Sequence, residues 1–229
     1  AMKKSSILIL IIICLVGCKK GSNETTITGE IKGLGTDTLY LYGMDELYDR
    51  IDTIYVENDK FSYTTSVDTI TSAYLLLKNR IEYPVFLDKG NKIKIKGDTI
   101  NLNFLTISGN IYNEEFTDFQ KALEDPADPS EKAGEETVDK RITVEKANTA
   151  EEMAEEFILQ HHSSYVSLYL LDKYFVQKET PDFSKIKKLV EVMTGVLQDK
   201  PYIERLNETI TQAEKSEIGK YAPFFSLPN

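Results

Sequence analysis

The sequence predicts an α+β chain, with an N-terminal antiparallel β-sandwich or small barrel followed by an all-α helical connector. Three observations predict it. Over residues 25–108, short runs of β-branched and aromatic residues alternate with turn-forming clusters. After Gly109 the apolar period changes from two residues to that of a helix. The 229 residues are 41% hydrophobic, enough to bury a core in one or two domains.

The chain opens with a segment outside that fold. Lys3 and Lys4, the uncharged apolar run 7–16, and small Gly17 before Cys18 form the three-part layout of a secretory signal peptide. The run is roughly ten residues, half of what a membrane-spanning helix needs, so no stable transmembrane anchor is expected. Leu15-Val16-Gly17-Cys18 resembles the lipobox of bacterial lipoproteins. That resemblance implies removal of residues 1–17, acylation of Cys18 and a membrane anchor through its lipid, with residues 18–24 as a tether. Cys14 and Cys18 are the only cysteines, so the mature chain is expected to have neither a disulfide nor a CxxC pair. The formal charge of −10 becomes −12 once Lys3 and Lys4 are removed, which disfavours nucleic acid as a partner.

Residues 25–109 form the predicted β-domain. Ile27, Gly29 and Ile31 alternate with Thr28, Glu30 and Lys32, giving one dry and one wet face. Gly33-Leu34-Gly35 turns the chain. Further strands are predicted at 38–42, 51–56, 60–65, 72–77, 83–87, 92–96 and 102–108, with tight turns at Asn58-Asp59 and Gly90-Asn91.

Residues 110–218 form the predicted helical connector. Tyr112, Phe116, Phe119 and Leu123 fall on one helical face. The stretch 125–131 reads as an acidic, proline-bearing loop. Thr149 with Glu152 gives a capping-box signal for a helix carrying Met153, Phe157 and Ile158 and ending near His162. Ser163 or Ser164 can cap a helix over 165–175. Thr180-Pro181 starts another, carrying Phe183, Ile186, Leu189, Val190, Met193 and Leu197. Pro201 opens the last, with Ile203, Leu206, Ile210 and Ala213 inward.

Candidate chemistry is sparse. His161 and His162 are adjacent, about 100° apart on a helix, which suits a helix end better than a shared metal. Glu151, Glu152, Glu155 and Glu156 have helical spacing, but without supporting histidines a solvated face is the better reading. Tyr40, Tyr42, Tyr55, Phe61, Tyr63 and Phe86 could line a sugar- or peptide-binding surface, although strand aromatics are more often core or cross-strand pairs. There is no glycine-rich phosphate loop, nucleophile elbow or HExxH, and no cofactor, metal or catalytic residue is expected in this stretch.

Three stretches carry a family resemblance: Thr26-Ile27-Thr28-Gly29-Glu30-Ile31-Lys32-Gly33-Leu34, with Ile51-Asp52-Thr53-Ile54 and Lys60-Phe61-Ser62-Tyr63 after it; the run from Phe157 through His161-His162 to Leu171; and Gly219-Lys220-Tyr221-Ala222-Pro223-Phe224-Phe225-Ser226-Leu227-Pro228-Asn229. The chain resembles Bacteroidetes-type lipoproteins with a DUF4369 β-domain, a helical connector and a thioredoxin-like domain of the TlpA/ResA kind. It departs from them at Asn58-Asp59, where a glycine usually precedes the Lys-Phe pair, and at His162, where proline is common. The resemblance implies that 219–229 begins a thioredoxin-like domain absent from this chain. The chain would then be the non-catalytic, anchored front of a periplasmic thiol-disulfide oxidoreductase, positioning or dimerising that domain and meeting periplasmic client proteins. A stand-alone lipoprotein binding an envelope peptide or glycan is the alternative. Lys19 and Lys20, with neither a retaining aspartate nor an acidic cluster, imply the periplasmic face of the outer membrane. Asp37-Thr38-Leu39, Asp52-Thr53-Ile54, Asp68-Thr69-Ile70 and Asp98-Thr99-Ile100 resemble O-glycosylation acceptors, with one or two of Thr38, Thr53, Thr69 and Thr99 expected to be modified; the same tripeptide also suits a turn entering a strand.

Overall fold

The structure, a computed structural model, describes residues 23–44, 46–124 and 140–218. Eight strands come first: β1 Glu24–Lys32, β2 Asp37–Gly43, β3 Ile51–Val56, β4 Lys60–Ser66, β5 Thr71–Leu76, β6 Glu82–Leu87, β7 Lys92–Asp98 and β8 Thr106–Ser108. They form two four-stranded sheets, β4-β1-β7-β8 (sheet one) and β3-β2-β5-β6 (sheet two). The sheets face each other as an open sandwich, so the barrel alternative falls away. The predicted alternation fills the space between them: Ile27 and Ile31, Ile93 and Ile95, Leu39 and Leu41, Ile54 and Val56 are all buried. One pairing departs from the antiparallel expectation. β1 and β7 run parallel, Thr26 beside Lys92 and Glu30 beside Lys96.

Two of the chain's four changes of sheet, β1 to β2 and β3 to β4, occur at tight turns. Asn58 (φ 51°) and Asp59 (φ 69°) both take the left-handed conformation that a two-residue hairpin needs. Beyond the Glu57–Lys60 bridge, β3 and β4 part into different sheets. The hairpin tip is held to the β1–β2 turn, where Gly35 N–H donates to Asp59 Oδ1 (2.6 Å). At Gly29, opposite Phe61, a Cβ would lie 2.0 Å from Phe61 Cζ, so only glycine lets that ring lie over β1.

Five α-helices follow among the described residues: α1 Ile111–Glu124, α2 Lys140–Gln160, α3 Tyr165–Leu171, α4 Phe183–Val192 and α5 Pro201–Ile218. Every residue of α3 is buried, at the centre of the array. No helix among the described residues is long and apolar enough to cross a membrane. Helix α1 belongs to both halves. Asn113 accepts from Phe86 N–H (3.0 Å) and donates to Phe86 O (2.9 Å), pairing with the edge strand β6 as another strand would. One turn on, the Thr117 hydroxyl accepts from Ile107 N–H and donates to Ile107 O (both 3.0 Å), doing the same for the edge strand β8. Gln120 accepts from Tyr83 and donates to Asn103 O (3.1 Å). Three polar side chains of one helix thus close one open side of the sandwich.

Several predicted boundaries shift. Thr149 does not cap a helix, because α2 already runs from Lys140; the preceding residues contain neither Gly nor Pro to stop it. Ser164 is the cap of α3, accepting from Val166 N–H (3.2 Å), and the helix widens into a π turn at Asp172–Val176. Asp182 caps α4, accepting from Lys185 N–H (3.0 Å). Helix α4 stops at Val192 rather than reaching Leu197, with Gly195 at φ 63° and Gln198 donating to Val190 O (2.9 Å). Met193 and Leu197 are buried all the same. The last strand is only Thr106–Ser108, while Leu102 and Leu105 fill the core from a loop fixed by Tyr83 Oη to Leu105 O (2.7 Å). Loop 125–131, Cys18 and the stretch 219–229 lie outside the described residues.

Candidate functional site

The outer face of sheet two holds the aromatic candidates. With Leu39 and Leu41 inward, Thr38, Tyr40 and Tyr42 of β2 point outward beside Tyr55, Thr53 and Ile51 of β3. The helices cover the half of this face nearer β5, where Tyr74 packs on Tyr42 (5.7 Å between centroids) and edge-on to Tyr169 of α3 (6.3 Å). The half nearer β3 is open: Tyr55 is 73%, Ile51 72% and Tyr40 41% exposed. Tyr40 lies across from Thr53 and Tyr55 from Thr38, so flat apolar surface alternates with hydroxyls. Such a strip can stack on a sugar ring or hold a peptide side chain. The six aromatics singled out by sequence do not form one surface. Phe61 and Phe86 are buried, and Tyr63 lies beside Asp52. β4 belongs to the opposite sheet, and α1 covers Phe86 through Tyr112 and Phe116.

Where β3 and β4 separate, a polar cluster that sequence reasoning missed bridges them. Tyr48 donates to Asp52 and shares a hydrogen bond with Thr65 (3.1 Å). Arg50 stacks over the Tyr48 ring (4.6 Å), donates to Asp52 (3.1 Å) and Ser66 O (3.1 Å), and also reaches Thr65. Burial, reinforced by Asp52, pushes the Tyr48 phenol up to about 12. Burial alone would raise Asp52, but hydrogen bonds from Tyr48, Tyr63 and Arg50 outweigh it and leave its carboxyl below the usual range. No motif announces this cluster: Tyr48, Arg50 and Asp52 are close in sequence, but Thr65 joins them only when the two sheets are stacked. A second buried carboxylate, Asp172 in the π turn, accepts from Tyr202 (2.6 Å) and Gln177 (2.6 Å); burial and that carboxylate raise the Tyr202 phenol.

The histidines and most of the glutamates have structural partners, while Glu152 is exposed as a solvated helix face requires. His161 Nδ1 lies 3.1 Å from Phe157 O and its ring stacks on Phe157, while His162 Nδ1 lies 3.0 Å from Leu159 O, at the end of α2. Glu151 and Glu155 are not simply solvated: Lys185 pairs with Glu155 (2.7 Å) and approaches Glu151 (3.7 Å), and Lys178 also pairs with Glu151. No cluster of His, Cys, Asp and Glu able to hold a metal occurs among the described residues. The four Asp-Thr-aliphatic sites are scattered. Thr53 and Thr69 are exposed, whereas Thr38 is half-buried and Thr99 lies half-buried against Gly33. Asp37 accepts from Thr38 N–H (2.8 Å) and Asp98 from Ile100 N–H (2.9 Å), as turn-forming aspartates do.

The outer face of sheet one is different in kind. Lys92, Lys94 and Lys96 of β7 stand in a row, flanked by Thr26, Thr28, Glu30 and Lys32 of β1, Lys60, Ser62 and Thr64 of β4, and Thr106 and Ser108 of β8. At one end is an open cleft of about 500 Å³, lined by Glu30, Lys32, Lys96, Gly97, Asp98, Asn101, Phe104 and Thr106. The alternation Lys92-Ile93-Lys94-Ile95-Lys96 carries the signal for this row in the sequence itself.

Comparison with curated proteins and with solved structures gives no match. Residues 25–116, which span all eight strands and the first turn and a half of α1, match the family described as Domain of unknown function (DUF4369).

Proposed function

We propose that this chain is the non-catalytic, lipid-anchored front of a periplasmic thiol-disulfide oxidoreductase, holding a thioredoxin-like domain at a set distance and orientation from the membrane or in a homodimer. The observation that carries this reading is the buried junction at α1, where Asn113, Thr117 and Gln120 tie the DUF4369-like sandwich to the helices. A spacer that sets orientation needs such a joint, because a flexible linker would leave the following domain free to wander. The resemblance of 219–229 to a thioredoxin-like first strand supplies the identity of what is held. Sequencing the gene beyond Asn229 tests it: an in-frame CxxC-bearing domain is the expected result, and a stop codon directly after Asn229 refutes the reading.

A second reading is favoured by the open Tyr40–Ile51–Tyr55 strip: a lipoprotein that binds an envelope peptide or glycan on sheet two. Tyr55→Ala would then abolish binding in a glycan- or peptide-array assay while leaving the melting temperature unchanged. Unaltered array binding removes this reading. On either reading Thr53 and Thr69 are the exposed O-glycosylation acceptors, and intact-mass shifts lost in Thr53→Ala or Thr69→Ala would identify them.

A further inference from the structure

The charge on this chain is unevenly placed. The sequence as a whole carries −10, yet the outer face of sheet one presents Lys32, Lys60, Lys92, Lys94 and Lys96 against Glu24, Glu30 and Asp98. The other outward positions on its strands are hydroxyl-bearing: Thr26, Thr28, Ser62, Thr64, Ser66, Thr106 and Ser108. These five lysines are all exposed, and none forms an ion pair among the described residues, whereas Lys78, Lys121, Lys178, Lys185 and Lys187 are engaged by carboxylates. Outward residues on a strand recur about every 7 Å, so Lys92, Lys94 and Lys96 form a straight cationic row. The cleft at the far end of that row is flanked by Lys32 and Lys96, with Thr106 and Asn101 as further polar groups; Glu30 and Asp98 also line it, the latter accepting from Ile100 N–H (2.9 Å).

The topology ties this face to the anchor. Cys18 lies six positions before Glu24, a reach of about 20 Å at most for extended chain. The parallel pairing of β1 with β7 then places Lys92 opposite Thr26, at the end of the sheet where the tether enters. We infer that the outer face of sheet one lies against the anionic phosphate headgroups of the membrane that holds the lipid. The lysine row makes the contact. The inference rests on the anchor at Cys18 and deepens the spacer role, because it turns a tether that permits rotation into a fixed docking orientation. The acidic remainder of the chain is repelled by the same surface, which reinforces the choice of face.

The test uses the chain purified from membranes and reconstituted into vesicles of phosphatidylcholine alone or of phosphatidylcholine with phosphatidylglycerol. Lysine acetylation rates are read residue by residue by mass spectrometry. On anionic vesicles Lys92, Lys94, Lys96 and Lys60 are expected to label several-fold more slowly than on neutral ones, the difference vanishing at high salt, while Lys187 and Lys215 on the helices do not change. Lys94→Glu with Lys96→Glu, at exposed positions whose side chains make no hydrogen bond or ion pair among the described residues, restores fast labelling of Lys92. Each lysine near such a surface is worth about fivefold in partitioning. Equal rates on the two vesicle types with Cys18 acylated overturn the docking alone. An unmodified Cys18 peptide overturns the anchor and the docking together.

Discussion

Replacing Asn113 by alanine tests the joint on which the spacer reading depends. The side chain is buried and makes two hydrogen bonds to Phe86, accepting from its N–H and donating to its carbonyl. The carbonyl keeps a second donor, Asn110 Nδ2 at 2.8 Å, so the truncation leaves only the N–H without a partner. An unsatisfied buried group costs about 1–3 kcal/mol, and the small void left by the amide adds about 1 kcal/mol. The expected loss is therefore about 2–4 kcal/mol, or roughly 5–15 °C in melting temperature for a chain of this size. Urea unfolding followed by circular dichroism measures the loss, and hydrogen exchange at the Phe86 amide localises it. Asn113→Asp sharpens the test. Its carboxylate still accepts from Phe86 N–H but faces the Phe86 carbonyl with a second oxygen, so it is destabilising at neutral pH. Once protonated it can donate to that carbonyl, and the deficit relative to wild type shrinks as pH falls. A loss below about 0.5 kcal/mol in the alanine variant, or a pH-independent deficit in the aspartate variant, refutes the view that this side chain stands in for a missing strand.

Other outcomes follow from the same geometry. Thr71 is buried with its hydroxyl unpaired, so Thr71→Val should raise stability by about 1 kcal/mol, read as a higher urea midpoint at unchanged slope. Gly29→Ala drives a methyl into the Phe61 ring and should cost about 1–3 kcal/mol, with Phe61→Leu recovering part of the loss in the double variant; simple additivity would contradict the contact. Asp52 has a lowered pKa, so its contribution is complete above the unfolded value of about 3.9 and is lost as pH drops through the folded value. Asp52→Asn should accordingly flatten the acid limb of the stability curve. Tyr48 is raised to about 12, so its contribution is complete below the ordinary phenol value near 10 and disappears as pH climbs through the folded one, which a phenolate absorbance titration of Tyr48→Phe against wild type measures.

What the sequence made legible is what period and turn chemistry encode. β3 is legible because Ile51–Val56 is rich in β-branched and aromatic residues and Asn58-Asp59 tolerates the positive φ of a tight turn. The buried faces of α4 and α5 were read from their 3.6-residue spacing. Sheet membership was not legible. Nothing in the residues around Asn58 says that the hairpin's arms will part into different sheets, and nothing in Lys92–Asp98 says that it will lie parallel to β1. Those outcomes depend on which faces find each other in three dimensions. The polar contacts that hold the sandwich together, Tyr48 and Arg50 to Thr65 on one side and Asn113 to Phe86 and Thr117 to Ile107 on the other, were invisible for the same reason: each joins residues ten or more positions apart. The lysine row, by contrast, is encoded locally, in the alternation Lys92-Ile93-Lys94-Ile95-Lys96.

The placement of α1 has a consequence for where the chain can be divided. A break at residue 109 leaves all eight strands intact but removes the helix that closes β6 and β8. The exposed edges would then offer unpaired backbone groups at Phe86 and Ile107, together with the aromatic surface of Tyr83 and Phe86 that Phe116 covers. Free edges with apolar flanks invite pairing with another chain. A fragment ending at 109 should therefore aggregate, and one ending at 124 should stay better dispersed, although α1 itself would expose Phe119 where it packs on Phe157 and Tyr174. Light scattering of the two fragments against the whole chain measures the ranking. If the fragment ending at 109 is as monodisperse as the one ending at 124, α1 is not closing the sandwich, and the rigid joint proposed between the β-domain and the helices loses its physical basis.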